Sequence, residues 1–117
     1  MIAIATVCVS ASDISQVFLT SCNKERAALG IPPLCLNQQL MDASVKRSQE
    51  LTAAGNKLSH DYQSDVGTRA KNVGYQWSAI GENLASNQAP DSAFSMLFNE
   101  PPGADGHRKN ILSPDFT

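Results

Sequence analysis

Only one stretch of this chain, residues 75–80 (Tyr-Gln-Trp-Ser-Ala-Ile), reads as a β-strand. A strand cannot stand alone. Its backbone N–H and C=O groups need partners, and a single strand supplies none for itself. Those partners must come from elsewhere, because the rest of the chain reads as helix or loop.

Residues 13–29 carry Ile14, Val17, Phe18, Cys22, Ala28 and Leu29 on a helical stripe, with Asp13 and Gln16 as a capping box. Gly30 stops that helix, and Pro32-Pro33 follow. Asn37 is placed to cap a second helix running to about Ala54, with Leu40, Met41, Ser44, Val45, Ser48 and Leu51 facing inward. Gly55 ends it. A short helix over 68–73 ends at Gly74. Pro90 suits the first turn of another helix carrying Ala93, Phe94, Leu97 and Phe98, which Pro101-Pro102-Gly103 breaks. His107 opens a last short helix that Pro114 closes.

With 117 residues the chain is at most one domain. Apolar residues make up 42% and charged residues 17%, which is a globular rather than a disordered balance. The net charge is -2 and there is no run of lysine or arginine, so nucleic acid and anionic membrane are excluded as obvious partners. No stretch approaches the roughly 20 apolar residues that span a bilayer.

Residues 1–9 (MIAIATVCV) are nearly all apolar and run into Ser10-Ala11-Ser12. This pattern predicts a partial secretory leader over 1–11, with Val9-Ser10-Ala11 as the cleavage site and a secreted domain over 12–117. A short first strand is the alternative. Loss of the leader removes Cys8 and leaves Cys22 and Cys35. The eight residues from Cys22 to Gly30 rise about 12 Å as helix, and the five beyond can retrace that distance extended. A Cys22–Cys35 bridge is therefore open, and so are two buried free thiols.

Both histidines stand in polar settings, His60 in Leu58-Ser59-His60-Asp61 and His107 after Gly106. Glu82 lies between them, directly after the strand-like run. Two imidazoles and a carboxylate at element edges can converge on one site for a metal, an acid/base pair or a polar anchor.

In order along the chain stand Cys22-Asn23-Lys24-Glu25-Arg26-Ala27-Ala28-Leu29-Gly30-Ile31-Pro32-Pro33-Leu34, then Leu36-Asn37-Gln38-Gln39-Leu40, then Ser59-His60. Gly81-Glu82-Asn83-Leu84-Ala85 and Gly106-His107-Arg108-Lys109-Asn110-Ile111-Leu112 complete the series. Together they resemble the CAP superfamily, the SCP or cysteine-rich secretory, antigen 5 and pathogenesis-related 1 domain (the allergen V5/Tpx-1 group), and more closely its compact fungal and bacterial members. The resemblance implies an α+β fold, an α-β-α sandwich around a central antiparallel sheet, and a secreted protein. It implies a cleft with two histidines and two acids, which carry over to His60, His107, Glu82 and Glu100. Glu100 precedes Pro101, which pushes its backbone out of the helical region. Leu97 or Phe98 stands where the family has a tryptophan, and 101–105 is longer than the usual turn. The family's last strands would lie beyond Thr117, so the expected sheet is incomplete and the isolated chain marginally stable.

Three functions follow from the resemblance. Lipid binding, of a sterol or fatty acid outside the cell, would use Phe94, Met96 and Trp77 as ligand lining. Zinc is the alternative cofactor, held by His60 and His107 with a glutamate as third ligand, in a hydrolytic or structural role. Hydrolysis is the weaker reading, because neither Ser59, Ser78 nor Ser86 sits in a nucleophile pattern.

Overall fold

The computed structural model describes residues 13–86 and 88–117. Five helices form in chain order: α1 (Asp13–Ala28), α2 (Gln38–Ala53), α3 (Val66–Asn72), α4 (Pro90–Phe98) and α5 (Gly106–Leu112). The expected leader over 1–11 lies outside the described residues.

The helix ends follow local chemistry. Leu29 stands just past α1, and Gly30 takes a φ of 68°. Gly30 N–H donates to Ala27 O at 3.1 Å and Ile31 N–H to Arg26 O at 2.9 Å, so the last turn's orphan carbonyls are satisfied. The same pair of bonds closes α3 through Gly74 and Tyr75, onto Lys71 O and Ala70 O. Asn37 caps α2 by accepting from Leu40 N–H at 3.1 Å. Asp65 caps α3 by accepting from Thr68 N–H at 2.9 Å, which starts that helix two residues before the predicted 68.

Helices α1, α4 and α5 pack together, α2 and α3 pack together, and no helix of one group contacts a helix of the other. The first group buries Phe18, Cys22, Leu34, Ala93, Phe94, Leu97 and Ile111. Phe94 is its hinge, edge-on to Phe18 at 5.4 Å and stacked on Phe98 at 5.5 Å. The second group buries Leu40 and Ala70, with Tyr75 and Ile80 packed against them. Residues 75–85 run through the space between.

The expected α+β sandwich is corrected here. No strand or sheet is present among the described residues, and 75–80 is irregular. Strand-like composition becomes a strand only when a neighbouring segment accepts its hydrogen bonds. Among the described residues, the backbone bond made by 75–80 is that of Tyr75, and it serves to close α3. Among the described residues the two helix groups therefore stand with no sheet between them.

Two helix faces match the expected ones only in part. On α2 the buried residues are Leu40, Ser44, Arg47 and Leu51, while Val45 is exposed. On α1 they include Phe18, Cys22 and Arg26, while Val17 and Leu29 are exposed. Backbone carbonyls receive the guanidinium of the arginine on each buried stripe, although the buried Nε of Arg47 has no hydrogen-bond partner among the described residues. Arg26 donates to Pro32 O at 2.8 Å, Ile111 O at 3.0 Å, Ser113 O at 2.8 Å and Phe116 O at 2.8 Å. It ties α1 to the chain leaving α5.

Cys22 is free and buried, whereas Cys35 is disulfide-bonded. The Cys22–Cys35 bridge is thereby excluded, and so is a pair of free thiols. The partner of Cys35 lies outside the described residues. No helix among the described residues is long and apolar enough to cross a membrane.

Candidate functional site

His60 sits on a polar loop that two arginines hold from below. From α2, Arg47 donates to Tyr62 O and Ser59 O, each at 2.7 Å. From α3, Arg69 donates to His60 O at 3.1 Å and to Ser64 O. Its other nitrogen, Nη2, donates to Glu82 Oε2 at 2.5 Å. The second oxygen of Glu82, Oε1, lies 2.9 Å from His60 Nδ1. An ionised carboxylate only accepts, so Nδ1 carries the hydrogen and Nε2 is left for other partners. The Glu82 side chain is 3% exposed and that of His60 is 52% exposed, so the pair runs from the interior to the surface.

His107 is built differently. It lies in the first turn of α5, and Glu100 reaches it across the 101–105 loop. Pro101 does keep Glu100 outside α4, which ends at Phe98. The loop then turns back, with Ala104 N–H donating to Pro101 O at 3.0 Å and Gly103 at a φ of 90°. Glu100 Oε1 meets His107 Nδ1 at 2.5 Å, and Oε2 accepts from His107 N–H at 3.2 Å. The carboxylate thus satisfies an orphan amide of the helix start as well as the ring. Asp105, just before α5, pairs with Lys109 at 3.0 Å and Arg108 at 3.2 Å, and these hold its pKa down to about 2.

Two asparagines join the pairs. Asn83 donates to His107 O at 3.2 Å, and Asn110 donates to Asn83 Oδ1 at 2.9 Å and to Glu82 O at 3.4 Å. Both asparagines tie the Glu82 turn to α5, and Arg108 turns to Asp105. The structure therefore arranges His60, Glu82, Glu100 and His107 as two histidine–glutamate pairs.

Each glutamate bonds its histidine through Nδ1 and leaves Nε2 of the ring open. No group of three or more His, Cys, Asp or Glu among the described residues could hold a metal ion. No hydrolytic step is derived through one.

Between the helical layers lies a cavity of about 290 Å³. Phe18, Leu40, Tyr75, Ile80, Leu97 and Ile111 give it an apolar wall. Arg69, Glu82, Asn83 and Asn110 make one polar side, so Glu82 belongs both to the cavity and to the His60 pair. Cys22 also lines it, and burial pushes its thiol up to about 12, leaving it an inert apolar group. None of Phe94, Met96 and Trp77 lines this cavity. Phe94 is in the aromatic stack of the core, Met96 is half exposed, and the half-exposed Trp77 covers Gly67 so closely that a Cβ there would stand 2.8 Å from its ring. Arg47 and Arg69 were missed by the sequence reading. The signal was available for Arg47, which falls on the apolar stripe between Ser44 and Leu51.

Residues 19–117 match the family described as the Cysteine-rich secretory protein family, CAP, and the chain belongs to it. It is similar to the protein described as "Uncharacterized protein YkwD" of Bacillus subtilis (strain 168), at 34% identity over 114 residues. That match covers 93% of this chain and 41% of the relative's length. No solved structure matches the chain.

Proposed function

We propose that this CAP domain is an extracellular, non-enzymatic binder of a small apolar ligand, seated in the cavity between the two helical layers. The observation that carries the reading is the cavity itself, concave, mostly apolar and edged by a few convergent polar groups, as small-molecule sites are. A disulfide at Cys35, a bond that persists in oxidising compartments, supports an extracellular setting. The polar pairs act as scaffold, with Glu82 and Arg69 closing one end of the cavity. A zinc site would need a third ligand beside the two histidines, and no group of three or more His, Cys, Asp or Glu among the described residues could hold a metal ion.

Naphthalene, uncharged and fluorescent, is a direct probe. Saturable one-to-one binding is expected, with shifts in the methyl NMR signals of Leu40, Leu97 and Ile111. Ala43→Leu, which places a larger side chain on the cavity wall, should weaken it about tenfold, the change that about 1.4 kcal/mol produces. Absence of saturable binding to the wild type would remove the proposal.

A further inference from the structure

The chain has three cysteines, at positions 8, 22 and 35. Cys35 is disulfide-bonded. Cys22 is a free thiol, 1% exposed, in the core cluster with Phe18 and Leu34. Within one chain, Cys8 is the partner that remains for Cys35.

The connection is short enough to close. Leu34 is fixed beside α1, its N–H donating to Asn23 Oδ1 at 2.7 Å and its carbonyl accepting from Asn23 Nδ2 at 3.0 Å. Leu34 and Leu36, on either side of Cys35, are each buried, so the backbone at Cys35 is anchored from both sides. From Asn23 back to Asp13, α1 rises about 15 Å. The chain from Asp13 back to Cys8 reaches up to about 17 Å when extended, and a disulfide adds about 5.5 Å between its Cα atoms. The reach of chain and bond together exceeds the span.

We propose that Cys8 and Cys35 form a disulfide that ties the apolar segment 1–9 to the domain and encloses all of α1 in its loop. The bond forms when the two thiols give up two protons and two electrons to an external disulfide, which leaves as two thiols. Cys22 takes no part, because burial keeps its thiol protonated and away from exchange. The bond also braces the cavity, since Ile14 and Phe18 of α1 and Leu34 beside Cys35 line its wall. It changes what a leader over 1–11 would mean. Cleavage after Ala11 would cut the backbone and leave 1–11 joined through Cys8. The bond stands whether or not the cavity takes a ligand.

Disulfide mapping tests this on the full chain, equilibrated in a glutathione redox buffer. The protein is denatured, alkylated without reduction, and cut with chymotrypsin, which cleaves after Phe18 and so separates Cys8 from Cys22. The expected map has an alkylated Cys22 and one cross-linked pair, Cys8 with Cys35. Cys8→Ser should raise the free thiols per chain from one to two. That count is read in denaturant, so it does not depend on the variant's stability. Cys35 joined to Cys22, to glutathione or to a second copy of the chain overturns the inference. So does a count that stays at one in Cys8→Ser.

Discussion

The two histidine–glutamate pairs use the same ring nitrogen and the same acceptor group, yet they are held in opposite ways. Glu82 is an interior carboxylate, 3% exposed, with a buried arginine on its other oxygen. Glu100 is 20% exposed, and its second oxygen serves only a backbone amide at the start of α5. The His60 pair is thus a long-range assembly of α2, α3, the His60 loop and the Glu82 turn. The His107 pair is local, seven residues apart in sequence. Burial raises what is at stake in the first pair, because a buried charge that loses its partner cannot recover water.

The largest expected effect tests that contrast directly. Arg69→Ala strands Glu82 in the interior and releases the carbonyls of His60 and Ser64, and should cost about 3–5 kcal/mol in urea unfolding. Removing Glu82 as well, in Arg69→Ala/Glu82→Ala, should recover part of that loss, since the uncompensated charge goes too. A single-mutant loss below about 1 kcal/mol, the range of exposed pairs, would erase the difference between the two sites.

A smaller effect is expected at the local pair. Glu100→Gln keeps a hydrogen-bonding side chain in place and should cost about 0.5–1.5 kcal/mol. Its signature is confined to α5, as a shift of the His107 amide and ring signals by NMR with His60 unmoved. If the His60 signals move as much, the pairs are coupled through Asn83 and Asn110 more strongly than their separate construction implies.

The smallest effect concerns acid. Asp105 has its pKa depressed from 3.8 to about 2 by Lys109 first and Arg108 second. A depressed carboxyl stabilises the folded state above its unfolded value, and that contribution is lost as pH falls from 3.8 through about 2. Asp105→Asn should flatten this part of the acid-unfolding profile beside α5 and leave the rest unchanged. An unaltered profile would show that Lys109 and Arg108 do not hold the carboxyl in solution.

What was legible in the sequence follows the range of the forces involved. The caps at Asn37 and the stops at Gly30, Gly55 and Gly74 depend on bonds within a few residues, and each appears where the residue types placed it. The strand at 75–80 depended on a partner elsewhere, and its composition alone did not make it one. The buried arginines were hidden for a related reason. Arg26 and Arg47 look like surface residues until the carbonyls they serve, as far away as Phe116 for Arg26 and Tyr62 for Arg47, are folded against them. Glu100 lies outside α4, and the loop after Pro101, not the helix, carries its side chain to His107.

Family membership and the five helices were determined by the sequence, through ordered motifs and local hydrogen bonding. Which histidine meets which glutamate was decided only in three dimensions, as were the arginines beneath one pair and the cavity left between the helical layers. Those features arise from segments tens of residues apart. Their energies come from burial, and burial exists only once the layers have closed around it.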